Sequence, residues 1–177
     1  MTPDFGRDYF ALFGIARAFS IDEGALELGY KDLQAAVHPD RFAHLPDQDK
    51  RLSMQWATRV NEAYRTLRRP LDRARYILEL EGCSVDDESN TAMAPEFLME
   101  QMEWREAVEE ARGGADRDSL EHLSQRLSQS WTEALSDIAE CIDDAKDYPK
   151  ASEAVRRMMF LDKLRVNVED ALEELDD

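Results

Sequence analysis

Cysteine is nearly missing from this chain, with only Cys83 and Cys141 present. They stand far apart without a CxxC, and the three histidines show no ligand spacing against them, so no tetrahedral zinc site is legible. Two idle thiols in a reducing compartment are expected, although sequence leaves a disulfide open. Glycine and proline are also scarce, seven and six among 177 residues, which leaves room for long uninterrupted helices. No apolar run approaches the ~20 residues needed to cross a bilayer, so no membrane span is expected. No glycine-rich loop is present to cradle phosphates, so the chain should not bind ATP itself, and no cofactor is expected. The stretch from Met1 to Asp8 has no apolar signal core and carries acids that a transit peptide avoids, so a cytoplasmic location is expected. Positive charge is in short supply: 22 basic residues face 39 acidic ones, for a formal charge of −17. Such a surface repels phosphate backbones, and nucleic acid is not an expected partner.

What remains is hydrophobic content of 43%, enough for a packed core, arranged almost entirely at helical spacing. Tyr9 to Gly14 form a short aromatic cluster. Ser20 and Glu23 read as a capping box that opens a helix from about Glu23 to Val37. Leu26, Tyr30, Leu33 and Val37 mark its apolar stripe. After a polar loop, Leu52, Trp56, Val60, Ala63, Tyr64 and Leu67 mark a second stripe on a helix from about Gln48 to Leu67. Two stripes joined this way predict an antiparallel helical hairpin. Pro70 interrupts the pattern, and Leu71 to Leu80 form a further short helix.

Residues 82–94 lack helical periodicity and are taken as a linker between residues 1–81 and residues 95–177. Pro95 favours a helix start, and Gly113-Gly114 ends that helix. The next helix carries Leu120, Leu123, Leu127, Trp131, Leu135, Ile138 and Ile142. After Asp147-Tyr148-Pro149, the last carries Ala154, Met158, Leu161, Val168, Leu172 and Leu175. Three amphipathic helices with short turns predict an antiparallel bundle, and the chain as a whole reads as all-α.

The loop at the hairpin tip carries His38-Pro39-Asp40. His38 with Asp40 as orienter invites a hydrolase reading, but neither a serine nor a cysteine nucleophile stands beside them in sequence. The neighbouring text points elsewhere. Val60-Asn61-Glu62-Ala63-Tyr64-Arg65-Thr66-Leu67, then Pro70, then Arg73-Ala74-Arg75-Tyr76, resembles a J-domain, and Tyr9, Phe10, Leu12 and Gly14 match its usual opening. The resemblance implies that His38, Pro39 and Asp40 contact a DnaK-type chaperone and stimulate its ATP hydrolysis. Asp40 would stand opposite an arginine, Pro39 would fix the loop and His38 would order it. J-domains usually carry several bases on the helix before the tripeptide. Here there is only Lys31, with Arg41 just after the motif, so electrostatic steering should be weak and a dedicated chaperone fits better.

The helix starting at Pro95 has two apolar faces. At about 100° per residue, Phe97, Trp104, Val108 and Ala111 cluster within about 60°, the expected core side. Leu98, Met99 and Met102 fall elsewhere, with Glu103 and Glu106 beside them. Methionine beside glutamate reads as an adaptable binding surface with a charged rim, unless the first half of the chain covers it.

The segments Phe97-Leu98-Met99-Glu100-Gln101, Arg105-Glu106 and Phe160-Leu161-Asp162-Lys163-Leu164-Arg165 resemble HscB-type co-chaperones of iron–sulfur cluster assembly. So does Pro70-Leu71-x-Arg73-Ala74-x-Tyr76-x-Leu78-x-Leu80-x-Gly82. The resemblance implies a J-domain followed by a three-helix bundle that holds the scaffold IscU and presents it to the chaperone HscA. Scaffold contacts would map to Leu98, Met99, Met102, Glu103, Glu106 and Phe160, and chaperone contacts to Lys31, His38, Pro39, Asp40 and Arg41. Met102 stands where the family has leucine, and Trp104 replaces a smaller apolar residue. The zinc-binding cysteine extension of eukaryotic relatives has no counterpart here, which fits a bacterial cytoplasmic member. The alternative is a J-domain protein serving another client.

Overall fold

The computed structural model describes residues 6–37, 46–85 and 95–175. Among these residues every regular element is helical, and the fold is all-α. The chain divides into two compact units, Met1–Ile77 and Leu78–Asp177. The division falls inside a helix, a few residues before the end of the region expected from sequence.

In the first unit a short helix, α1 (Tyr9–Phe13), precedes a hairpin of α2 (Glu23–Val37) and α3 (Asp47–Arg68). Asp8 caps α1 by accepting from the Ala11 N–H, and Gly14 closes it at φ 68, the left-handed conformation that costs glycine least. The cap of α2 is not the expected Ser20. Asp22 accepts from the Ala25 N–H at 3.0 Å, so the helix is capped by the residue immediately before it. An aspartate directly abutting the first turn also places its charge nearer the helix N-terminus.

Three contacts set the hairpin register. The Val37 carbonyl accepts from Ser53 Oγ at 3.0 Å, Asn61 Oδ1 accepts from the Tyr30 hydroxyl at 2.9 Å, and Glu27 accepts from the Tyr64 hydroxyl. Residue numbers fall along α2 as they rise along α3, so the pair is antiparallel. Tyr30 and Tyr64 stack with centroids 4.0 Å apart, closing the seam at its surface. Leu26, Leu33, Val37, Trp56, Val60, Ala63 and Leu67 fill the interior between them.

The helix α4 (Pro70–Leu80) begins at the proline itself, one residue earlier than the stripe suggests, because proline suits a first helical turn. Arg73 is buried there. Its Nη1 donates to the Leu67 carbonyl at 2.5 Å, and its guanidinium lies 5.2 Å from the centroid of Phe19. A buried cation is tolerated because it satisfies an end carbonyl of α3 and lies over an aromatic face. Gly82, at φ 73, terminates α4.

The Glu27 carboxyl is held below its ordinary value of 4.5 by the Tyr64 hydroxyl first and Lys31 next. A carboxyl depressed in the folded state lends stability above its unfolded value, lost as pH falls through the lower folded value. Glu27→Gln should therefore flatten the loss of thermal stability below pH 4.5 relative to the parent chain, in melting curves taken at stepped pH.

The second unit contains α5 (Pro95–Gly113), α6 (Arg117–Ala139) and α7 (Tyr148–Glu174). Asp116 caps α6 and Asp147 caps α7, each accepting from a backbone N–H three residues on. Contacts of Glu100 with Arg157, Arg105 with Phe160 and Arg112 with Glu174 advance together along α5 and α7, so these helices run parallel. α6 returns between them, completing an up–down–up bundle.

The core differs from the sequence stripes where those stripes drift. On α6, Ala134 is buried while Trp131 is only half-buried, with the Arg165 guanidinium 5.7 Å from its ring. On α7, Val155 and Ala171 are buried, while Leu175, just past the helix end, is exposed. A helix of 3.6 residues per turn rotates away from any long three-and-four repeat, and small side chains take positions that larger ones would overfill. α6 also ends in a π-helical segment, Glu140–Ala145, that periodicity does not foretell. It keeps Cys141 and Ile142 buried and closes at Lys146 with φ 55. Burial pushes the Cys141 thiol above its usual range, consistent with an inert packing role. No helix among the described residues is long and apolar enough to cross a membrane.

Candidate functional site

The first candidate surface is the hairpin tip. His38, Pro39, Asp40 and Arg41 lie outside the described residues. Their flanks are described. α2 runs to Val37, whose carbonyl is tied to Ser53 on α3, so the chain enters the loop from an anchored point. On the far side Pro46 precedes α3 with no side-chain cap, and its carbonyl accepts from the Asp49 and Lys50 N–H groups. Lys31, the cation of α2, is exposed and forms an ion pair with Glu27 at 3.2 Å. Glu23, Glu27 and Asp32 share the helix with it, so α2 presents no basic face.

The second candidate surface is α5, where the helical wheel becomes physical. Trp104, Val108 and Ala111 point into the bundle. Leu98, Met99 and Met102 remain 47%, 63% and 69% exposed. Glu103 and Glu106 are exposed beside them. These five residues therefore share a solvent-facing strip with an apolar centre and an acidic margin. Three large apolar side chains left to water on one stretch of helix form a patch of the kind that mediates protein contacts.

Phe160 stands apart from that strip. It lies on α7, is only 9% exposed, and meets Phe97 in a T-shaped contact, with centroids 6.0 Å apart and planes at 89°. Arg105 covers its face, with the guanidinium carbon 5.8 Å from the centroid. The structure thus brings Phe160 beneath α5 rather than onto its outer face. Trp104, the larger residue at its position, is accommodated with Arg126 4.5 Å over its ring.

Periodicity gives no hint of the pair Arg157–Glu100, which joins α7 to α5 at 2.9 Å. Both partners are polar, so a pattern of apolar residues passes over them. No cluster of histidine, cysteine, aspartate or glutamate among the described residues could hold a metal ion.

The comparisons with known proteins agree with this geometry. The family model described as the HSCB C-terminal oligomerisation domain matches residues 93–169. The Co-chaperone protein HscB homolog of Azoarcus sp. (strain BH72) is 59% identical over 99% of both chains. The chain belongs to the HscB co-chaperone family. A second HscB homolog, from Aromatoleum aromaticum, is 55% identical over 99% of each chain. Among solved structures, HscB from Vibrio cholerae is similar with a TM-score of 0.83 and 32% identity, covering 96% of this chain and 99% of that one. Human HscB gives a TM-score of 0.87 and 29% identity, covering 96% of this chain and 84% of the human chain. For an HscB relative, a helical hairpin followed by a three-helix bundle is the family architecture, with a J-domain ahead of the bundle.

Proposed function

We propose that this co-chaperone binds an IscU-type scaffold protein of iron–sulfur cluster assembly, delivers it to an HscA-type chaperone and stimulates ATP hydrolysis there. The work is cytoplasmic, and the chain performs no chemistry of its own. The observation that carries this reading is the exposed strip Leu98–Met99–Met102 with Glu103 and Glu106, on a chain of this family.

The scaffold covers the strip, burying the two methionines, whose flexible thioethers adapt to a partner surface. The hairpin loop docks separately on the chaperone, with Asp40 opposite an arginine. Stimulation follows if the loop binds the hydrolysis-competent conformation of the chaperone more tightly than the other. Holding cargo and trigger on one chain raises the effective concentration of scaffold at the chaperone.

Calorimetric titration of the chain with an IscU-type scaffold tests the cargo half. Met99→Ala with Met102→Ala should weaken binding by ~1–3 kcal/mol. Melting should barely move, since exposed side chains contribute little to the core. A parent chain that stimulates the chaperone yet fails to bind the scaffold would leave a co-chaperone with another client.

A further inference from the structure

The exposed strip occupies the part of α5 that is held least. Its buried residues, Trp104, Val108 and Ala111, all come after Glu103, and no side chain between Pro95 and Glu103 is fully buried. Alongside these first turns lies an open cleft of about 520 Å³, lined by Phe97 and Glu100 from α5 and by Ala154 and Arg157 from α7. Close packing that would normally set a helix's rotation is therefore sparse on this side.

α7 supplies what the core does not. Arg157 Nη2 donates to Glu100 Oε1 at 2.9 Å, and Phe160, three residues on, meets Phe97 in a T-shaped contact. Phe97 and Glu100 are themselves three apart, so one turn of α7 grips one face of one turn of α5. Leu98, Met99 and Met102 belong to the opposite side of that turn. Both members of the ion pair are about two-thirds buried, at 33% and 29% side-chain exposure. Arg157 Nε is enclosed with no acceptor among the described residues. An arginine that leaves one donor unmet, yet reaches its carboxylate, is held there for geometry more than for net stability.

We propose that Arg157 is a positioning residue: through Glu100 it fixes the rotation of the first turns of α5, and so the presentation of Leu98, Met99 and Met102 to the scaffold. This rests on the function proposed above. Removing the pair leaves α5 anchored by Trp104, Val108 and Ala111, while its opening turns gain rotational freedom that the partner must then suppress on binding.

The test uses the full chain as Arg157→Ala, Glu100→Ala, and the exchanged pair Arg157→Glu with Glu100→Arg. Each is titrated with an IscU-type scaffold and followed by amide hydrogen exchange. Either single change should weaken binding about 3- to 10-fold and speed exchange between residues 97 and 103, whereas the exchanged pair should recover most of both. Unchanged affinity in the single variants overturns the proposal, as does an exchanged pair no better than the singles. Met99→Ala with Met102→Ala separates the two levels. If that variant loses affinity while Arg157→Ala keeps it, only the positioning role fails. If it binds like the parent, the placement of the scaffold on the exposed strip fails, and if the parent itself does not bind, the scaffold reading fails.

Discussion

Asp40→Asn is expected to abolish stimulation of the chaperone's ATP turnover while leaving scaffold affinity where it was. Asparagine keeps the shape of the side chain and removes its charge, so the loop itself need not change. What changes is the partner. An arginine desolvated against Asp40 on docking would then be buried without a counter-charge, a penalty of about 2–5 kcal/mol for a hydrogen-bonded charge pair. Because that penalty falls on the docked state, it removes the differential affinity by which the chaperone is shifted towards hydrolysis. The strip proposed to take the scaffold lies on α5, in the other unit, and shares no residue with the loop. Steady-state turnover of an HscA-type chaperone with parent and variant, with and without scaffold, is the measurement. Retained stimulation by Asp40→Asn would remove the mechanism. The same assay in rising salt should show a shallow decline, since α2 carries three acids around Lys31 and offers little steering.

Phe160→Ala should destabilise the C-terminal unit by about 3–5 kcal/mol, the usual cost of emptying a large aromatic from a core. The ring is 9% exposed, stands perpendicular to Phe97 and has the Arg105 guanidinium over its face, so truncation removes packing on α5 as well as on α7. Urea denaturation monitored by the tryptophans measures this directly. Met99→Ala and Met102→Ala, by contrast, should shift the midpoint hardly at all. Loss of scaffold binding in a Phe160 variant is therefore interpretable only where the unit is still folded. Phe160→Leu, which keeps much of the apolar volume, should retain more stability than the alanine variant. A Phe160→Ala chain as stable as its parent would show that the ring contributes little to the bundle.

Much of this molecule is legible from one sequence. Apolar residues at three-and-four spacing locate the long helices, since burying a stripe is what makes a helix stable in water. The two faces of α5 are legible for the same reason, and exposure of Leu98, Met99 and Met102 shows that the described structure leaves the second face open. Local competition between neighbouring side chains leaves no such pattern. Ser20 and Asp22 both offer capping oxygens within three residues of the helix start, and composition cannot rank them.

Residue order is enough to show that the chain is helical, that it has two parts, and that its residues resemble the HscB pattern. Each of these depends on short-range periodicity or on runs of neighbouring residues. That Phe160 lies beneath α5, that Arg157 meets Glu100, and that Ala134 rather than Leu135 enters the core follow from how the helices pack. Those outcomes depend on which helix faces which, at separations such as the 57 residues between Glu100 and Arg157. A helical wheel describes one helix against an undefined interior, and only packing supplies the neighbour.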